Sequence, residues 1–154
     1  MHFPILTATL LSMTLLDCPA TPNCVSSQAA DPARRVEPLA YPSGQEQLAL
    51  KVLLQVLHDM LRTEVTEQSA SVVKTVVQSA LLRFKDDLEF HFDHKAAVIH
   101  LRSASRTGYW DLGANRRRVE RIRAEFTDLL ARLSLAINIG PFAGRLNGAR
   151  AWPS

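Results

Sequence analysis

A chain of 154 residues with 47% apolar side chains is long enough for one domain with its own core. A formal charge of +3 is too small to argue by itself for a polyanionic partner, and two cysteines cannot complete a structural zinc site. The charge is unevenly placed: no Lys or Arg precedes Arg34, whereas RRRVERIR at 116–123 holds five arginines against one glutamate.

The first apolar run, FPILTATLLSMTLL at 3–16, has the length of a signal h-region and is short for a bilayer span. It predicts a leader over 1–17 and an exported, periplasmic or envelope-associated chain rather than a cytoplasmic one. The signal is imperfect, because no positive residue precedes the run and Asp17 stands directly before Cys18. Lipidation at Cys18, ordinary cleavage and a buried N-terminal element all stay open. In an oxidising compartment Cys18 and Cys24 can bridge a short Pro-rich loop, a gain of roughly 2 kcal/mol; in a cytosolic chain they are two free thiols.

Residues 29–46 carry the turn chemistry of a linker, in Asp31-Pro32, Glu37-Pro38 and Pro42-Ser43-Gly44. A helix over 45–61 follows, capped by Ser43 or Gly44, with an apolar stripe of Leu50, Leu53, Leu54, Leu57 and Leu61. His58 reads as a surface histidine. Val- and Thr-rich segments at 63–68 and 71–82 predict two strands. Residues 88–92 alternate strictly, Leu88, Phe90 and Phe92 facing inward and Glu89 and His91 outward, and Asp93-His94-Lys95 marks a reversal. Residues 97–103 run back, with His100 and Arg102 facing outward. A helix over 115–133 is expected from Val119, Ile122, Phe126, Leu129, Leu130 and Leu133, with Asn115 as its cap. The tail, 134–154, reads as irregular. The fold class is therefore α+β: an antiparallel sheet of about four strands packed against two helices, with irregular segments at both ends, in one domain over 18–133.

Polar residues gather around the last two strands and the start of the second helix. Arg116, Arg117 and Arg118 crowd the positive end of that helix and need acids nearby; Asp111, Asp86 and Asp87 are the candidates. One reading is a brace in which Asp86, Asp87 or Glu89 holds Arg102 and Arg106. Another is a cation site of Asp87, Glu89 and His91, although same-face strand neighbours stand about 6.6–7 Å apart, which is wide for one ion. A third is an anion clamp by Arg102, Arg106 and Arg116 with the first amides of the helix. Neither a nucleophile elbow, nor helical zinc histidines, nor a phosphate loop is present, so no catalytic residue, resident metal or cofactor is expected.

Three blocks, CPATPNCVSSQA at 18–29, FKDDLEF at 84–90 and RSASRTGYWDLGANRRRVERIR at 102–123, resemble the DUF1499 family, a domain of unknown function. The resemblance covers roughly 18–130. It gives weight to Asn23 and Cys24, to Asp86, Asp87 and Glu89, and to Arg102, Ser103, Ser105, Arg106, Asp111, Asn115 and Arg116. Bacterial and plastid members imply export, or a thylakoid lumen if the source has plastids; no activity is implied. The expected function is a non-catalytic envelope or lumenal protein that binds a partner protein or a small anionic ligand through the Arg/Asp/Asn face. The alternative is a metal-dependent or hydrolytic enzyme using Asp86, Asp87, Glu89 and His91. Nucleic acid is not expected as a partner, and a membrane only through an N-terminal anchor.

Overall fold

The computed structural model describes residues 15–80 and 83–139. Residues 1–14 of the expected leader and 140–154 of the expected tail lie outside the described residues. The chain runs β1 (Cys24–Ser26), β2 (Leu39–Ala40), α1 (Glu46–Asp59), β3 (Thr63–Gln68), β4 (Val72–Gln78), β5 (Lys85–Asp93), β6 (Val98–Ser105) and α2 (Ala114–Ile139). Consecutive strands β3 to β6 form an antiparallel meander, and β1 and β2 both pair antiparallel with the remaining edge of β6, giving six strands rather than about four.

Period-2 patterning places the strands as expected. Val73, Thr75 and Val77 of β4, Leu88, Phe90 and Phe92 of β5, and Ile99 and Leu101 of β6 are buried on the inner face. The β5–β6 reversal is an Asx turn: Asp93 Oδ1 accepts from the amides of Lys95 (3.0 Å) and Ala96 (2.9 Å). β3 is the outermost strand. It is exposed along nearly its whole length and is bulged between Val65 and Glu67.

Both helices cover the inner face, and they pack against each other. α1 buries Ala49, Val52, Leu53, Val56 and Leu57. Its stripe is rotated from the leucine-only reading, because Ala49, Val52 and Val56 share the face with Leu53 and Leu57. Leu50 and Leu54 lie at the margin, and Leu61, beyond the helix, is 77% exposed. Neither Ser43 nor Gly44 caps α1. Gln45 stands at the cap with no side-chain bond, and Glu46 reaches back to the Gly44 amide at 3.2 Å.

α2 buries Val119, Ile122, Phe126 and Leu130, but Leu133 is exposed. The helix extends to Ile139, past the expected end at 133, so residues 134–139 of the supposed irregular tail are helical. Among the described residues no helix is long and apolar enough to cross a membrane.

Candidate functional site

The end of the sheet where β5 begins and β6 finishes meets the first turn of α2, the 106–113 loop and the segment before β1. Parity along β5 sends Asp86 inward with Leu88 and Phe90 and sends Asp87 outward with Glu89 and His91. The two adjacent aspartates therefore serve opposite faces of the sheet.

Inside, Asp86 accepts from Arg118 Nη2 at 2.6 Å, with the two side chains 7% and 13% exposed. Arg118 is one of the three arginines expected to need an acid at the helix start, and Asp86 is one of the acids expected to supply it. Arg118 shares the buried face of α2 with Asn115, Val119 and Ile122, at the 3–4 spacing that extends the apolar stripe toward the helix start. Its Nη1 also donates to Asn115 Oδ1 at 2.9 Å.

Asn115 is not the cap of α2. It lies within the helix, fully buried, and acts as the hub of the block. Its Oδ1 accepts from Ser103 Oγ at 2.5 Å, and its Nδ2 faces Ser105 Oγ (2.9 Å), Asp111 Oδ2 (2.8 Å) and the Asn23 carbonyl (3.1 Å). A buried amide with both ends engaged carries no desolvation debt, which is why the interior accommodates it.

Asp111 performs the capping instead. Its two oxygens accept from the amides of Gly113 (2.9 Å) and Asn115 (2.8 Å). The loop reaches that geometry through two left-handed residues, Leu112 (φ 53°) and Gly113 (φ 77°); a Cβ at the latter would come within 3.2 Å of Arg117 Nη1. Burial pushes the Asp111 carboxyl up, but hydrogen bonds from Asn115 and Gly113 outweigh it and hold the group below its ordinary value. Asp111 neutralises none of the three arginines by direct pairing, contrary to the expectation from its sequence position.

Asn23 locks the N-terminal segment onto this block. Its Nδ2 donates to the Gly108 carbonyl at 2.5 Å, and its own carbonyl accepts from the Ser105 amide at 3.0 Å. Cys24, the next residue, is bridged to Cys18. Arg116 leaves the block and donates to the carbonyls of Arg35 (3.1 Å) and Ala33 (2.7 Å), tying α2 to the linker.

On the outer face Arg106 grips Asp87 with two nitrogens, Nε at 2.9 Å and Nη2 at 2.7 Å, in an exposed fork. Register sets Glu89 opposite Arg102 and His91 opposite His100. Glu89 lies 3.8 Å from Arg102 Nη1 and 3.6 Å from His91 Nε2, close enough for attraction and too far for hydrogen bonds. His100 instead shares a 3.2 Å hydrogen bond with Ser27 Oγ.

The acids and arginines thus meet as the brace requires, with Arg118 in place of Arg102 as the buried cation. The clamp of Arg102, Arg106 and Arg116 does not assemble, because Arg106 is held by Asp87 and Arg116 by backbone carbonyls. Among the described residues no three His, Cys, Asp or Glu side chains are grouped so as to hold a metal ion.

Bridged loop, paired aspartates and an Asn-centred helix start all fall inside one family match, which spans residues 14–126 and is described as a protein of unknown function, DUF1499. The chain belongs to the DUF1499 family. No curated protein and no solved structure matches it. The DUF1499 match ends within α2 at the deeply buried Phe126, so it takes in the whole sheet and the polar block together.

Proposed function

We propose that this DUF1499 chain is a non-catalytic binding protein of the periplasm or envelope that recognises a small anionic ligand. One observation carries the reading: the block consumes its carboxylates and leaves positive charge over. Asp86 and Asp87 are each committed to a guanidinium and Asp111 to amides, while the first turn of α2 contains no acid and adds Arg116 and Arg117, neither of which meets a carboxylate among the described residues. A surplus of guanidinium groups on a rigid frame suits recognition of planar or tetrahedral anions. The bridged cysteine pair supports an oxidising compartment, and a Cys18 engaged in a bridge has no sulfur left for a lipid.

The alternative of hydrolytic or metal-dependent chemistry at Asp86, Asp87, Glu89 and His91 has less support. Two of those four are already neutralised, on opposite faces of the sheet. The test is a titration of the purified domain with inorganic phosphate, followed by amide shifts. Saturable, salt-sensitive movement around the start of α2 is expected. No response at millimolar phosphate, together with a tightly held stoichiometric divalent cation, would turn the assignment to the enzyme.

A further inference from the structure

Beside the polar block, a cleft of about 330 Å³ opens between the α1–β3 turn, the end of β4 and the first two turns of α2. Four arginines line it: Arg62 from the turn, and Arg117, Arg118 and Arg121 from the helix. The remaining wall is apolar where Met60, Leu61 and Val77 contribute, with Gln78 and Ser79 at the rim. No acidic side chain lines it.

The four guanidinium groups are not equivalent. Arg118 is spent on Asp86 and Asn115. Arg121 gives its Nε to Glu125 at 2.7 Å. Arg62 and Arg117 are bonded only to backbone carbonyls, of Gln78 at 3.2 Å and Leu112 at 2.7 Å, and neither forms an ion pair among the described residues. Both bonds aim rather than neutralise. Arg62 uses its Nε alone, leaving its outer nitrogens uncommitted. The residue is in the left-handed region at φ 59°, and its carbonyl accepts the Gln78 amide at 2.9 Å, so the turn is fixed where the side chain departs. Two unneutralised cations thus stand next to exposed Leu61 on one wall of the cleft.

From this we infer that the cleft binds a phosphate monoester carrying a small apolar substituent, the dianion held between Arg62 and Arg117 and the substituent lying on Met60, Leu61 and Val77. This rests on the proposed anion-binding function and names its site and ligand class. Two unpaired guanidinium groups match a doubly charged head better than a carboxylate. The volume is at the small end for ligand sites, which suits a compact ester and excludes burial of a long acyl chain. The shared chemistry is the monoester head, whether it is borne by a soluble metabolite or presented by a membrane lipid.

The test uses phenyl phosphate and inorganic phosphate on the intact domain, by calorimetry and amide shift mapping. Phenyl phosphate should bind more tightly, by about fourfold for each methylene-equivalent of apolar surface it buries. Arg62→Gln and Arg117→Gln should each weaken it about tenfold, the scale of a lost charge-assisted hydrogen bond. Arg132→Gln, at the Asp128 pair further along α2, should leave binding unchanged. All four arginine sites except Arg118 are exposed, so these variants fold; circular dichroism checks that. Sedimentation with phosphatidic acid vesicles identifies the source: capture that R62Q and R117Q abolish assigns a lipid head, and sensitivity confined to phenyl phosphate assigns a soluble ester. Probe binding that neither substitution affects overturns the cleft while sparing the general anion reading. Absence of binding by either phosphate probe and by vesicles removes both.

Discussion

Replacing Asp86 with Ala strips a nearly buried guanidinium of its counter-charge. Its side chain and that of Arg118 are 7% and 13% exposed, and their contact is 2.6 Å. Breaking a buried pair from one side costs about 3–5 kcal/mol. Asn115 continues to hold one nitrogen of Arg118, so the lower end applies, about 3 kcal/mol. For a domain of this size that lowers the melting temperature by about 6–12 °C. Urea unfolding of the oxidised protein should show the midpoint falling with the slope unchanged. Two comparisons sharpen the result. Asp87→Ala opens an exposed pair and should hardly move the midpoint, because solvent already screens it. Replacing Asp86 and Arg118 together with leucine should restore most of the loss, since no unpaired charge is then left inside. If Asp86→Ala were as mild as Asp87→Ala, the account of the inner face as a buried electrostatic lock would be wrong.

Acid should weaken the start of α2 through Asp111. Its folded-state carboxyl titrates below the ordinary value, so its contribution is full above about pH 4 and disappears as pH falls through the lowered folded value. The stability gap between the wild-type chain and Asp111→Asn should therefore be constant near neutrality and close below about pH 4, as read by melting at successive pH values; a gap that widened on acidification would reverse the sign. Expression of the complete chain with cell fractionation and intact-mass measurement should return exported protein two hydrogens lighter than the reduced sequence, and reduced, full-length protein confined to the cytosol would contradict the compartment.

The meander was readable in the sequence because β4, β5 and β6 each bury one face, while β3 was marked by its β-branched residues alone. Residues 88–92 and 97–103 alternate cleanly, and the observed register preserves that alternation along β5 and along β6 as far as Ser103, after which Ala104 is buried as well. β1 and β2 were not readable. Strands of three and two residues in a proline-rich stretch have no measurable period, and only the vacant edge of β6 defines them. At the site, the acids were recognisable, and Arg106 with them; which of the three helix-start arginines meets Asp86 was not singled out. Asp86 has the parity of Leu88, and Arg118 lies three residues after Asn115 on the stripe of Val119 and Ile122. Periodicity therefore contained the pair, whereas the brace reading put Arg102 and Arg106 opposite the acids. The cap of α2 was misplaced for a related reason: Asn115 suits a cap by chemistry, but a buried hub demands both ends of an amide, and a carboxylate four residues earlier captures the free helix amides better.

The bulge in β3 has a consequence for how the molecule coexists with its own copies. A straight outermost strand offers unpaired amides and carbonyls as a template on which another chain can zip. Here the irregularity at Val65–Glu67 interrupts that template midway. The strand thus carries its own protection against self-association.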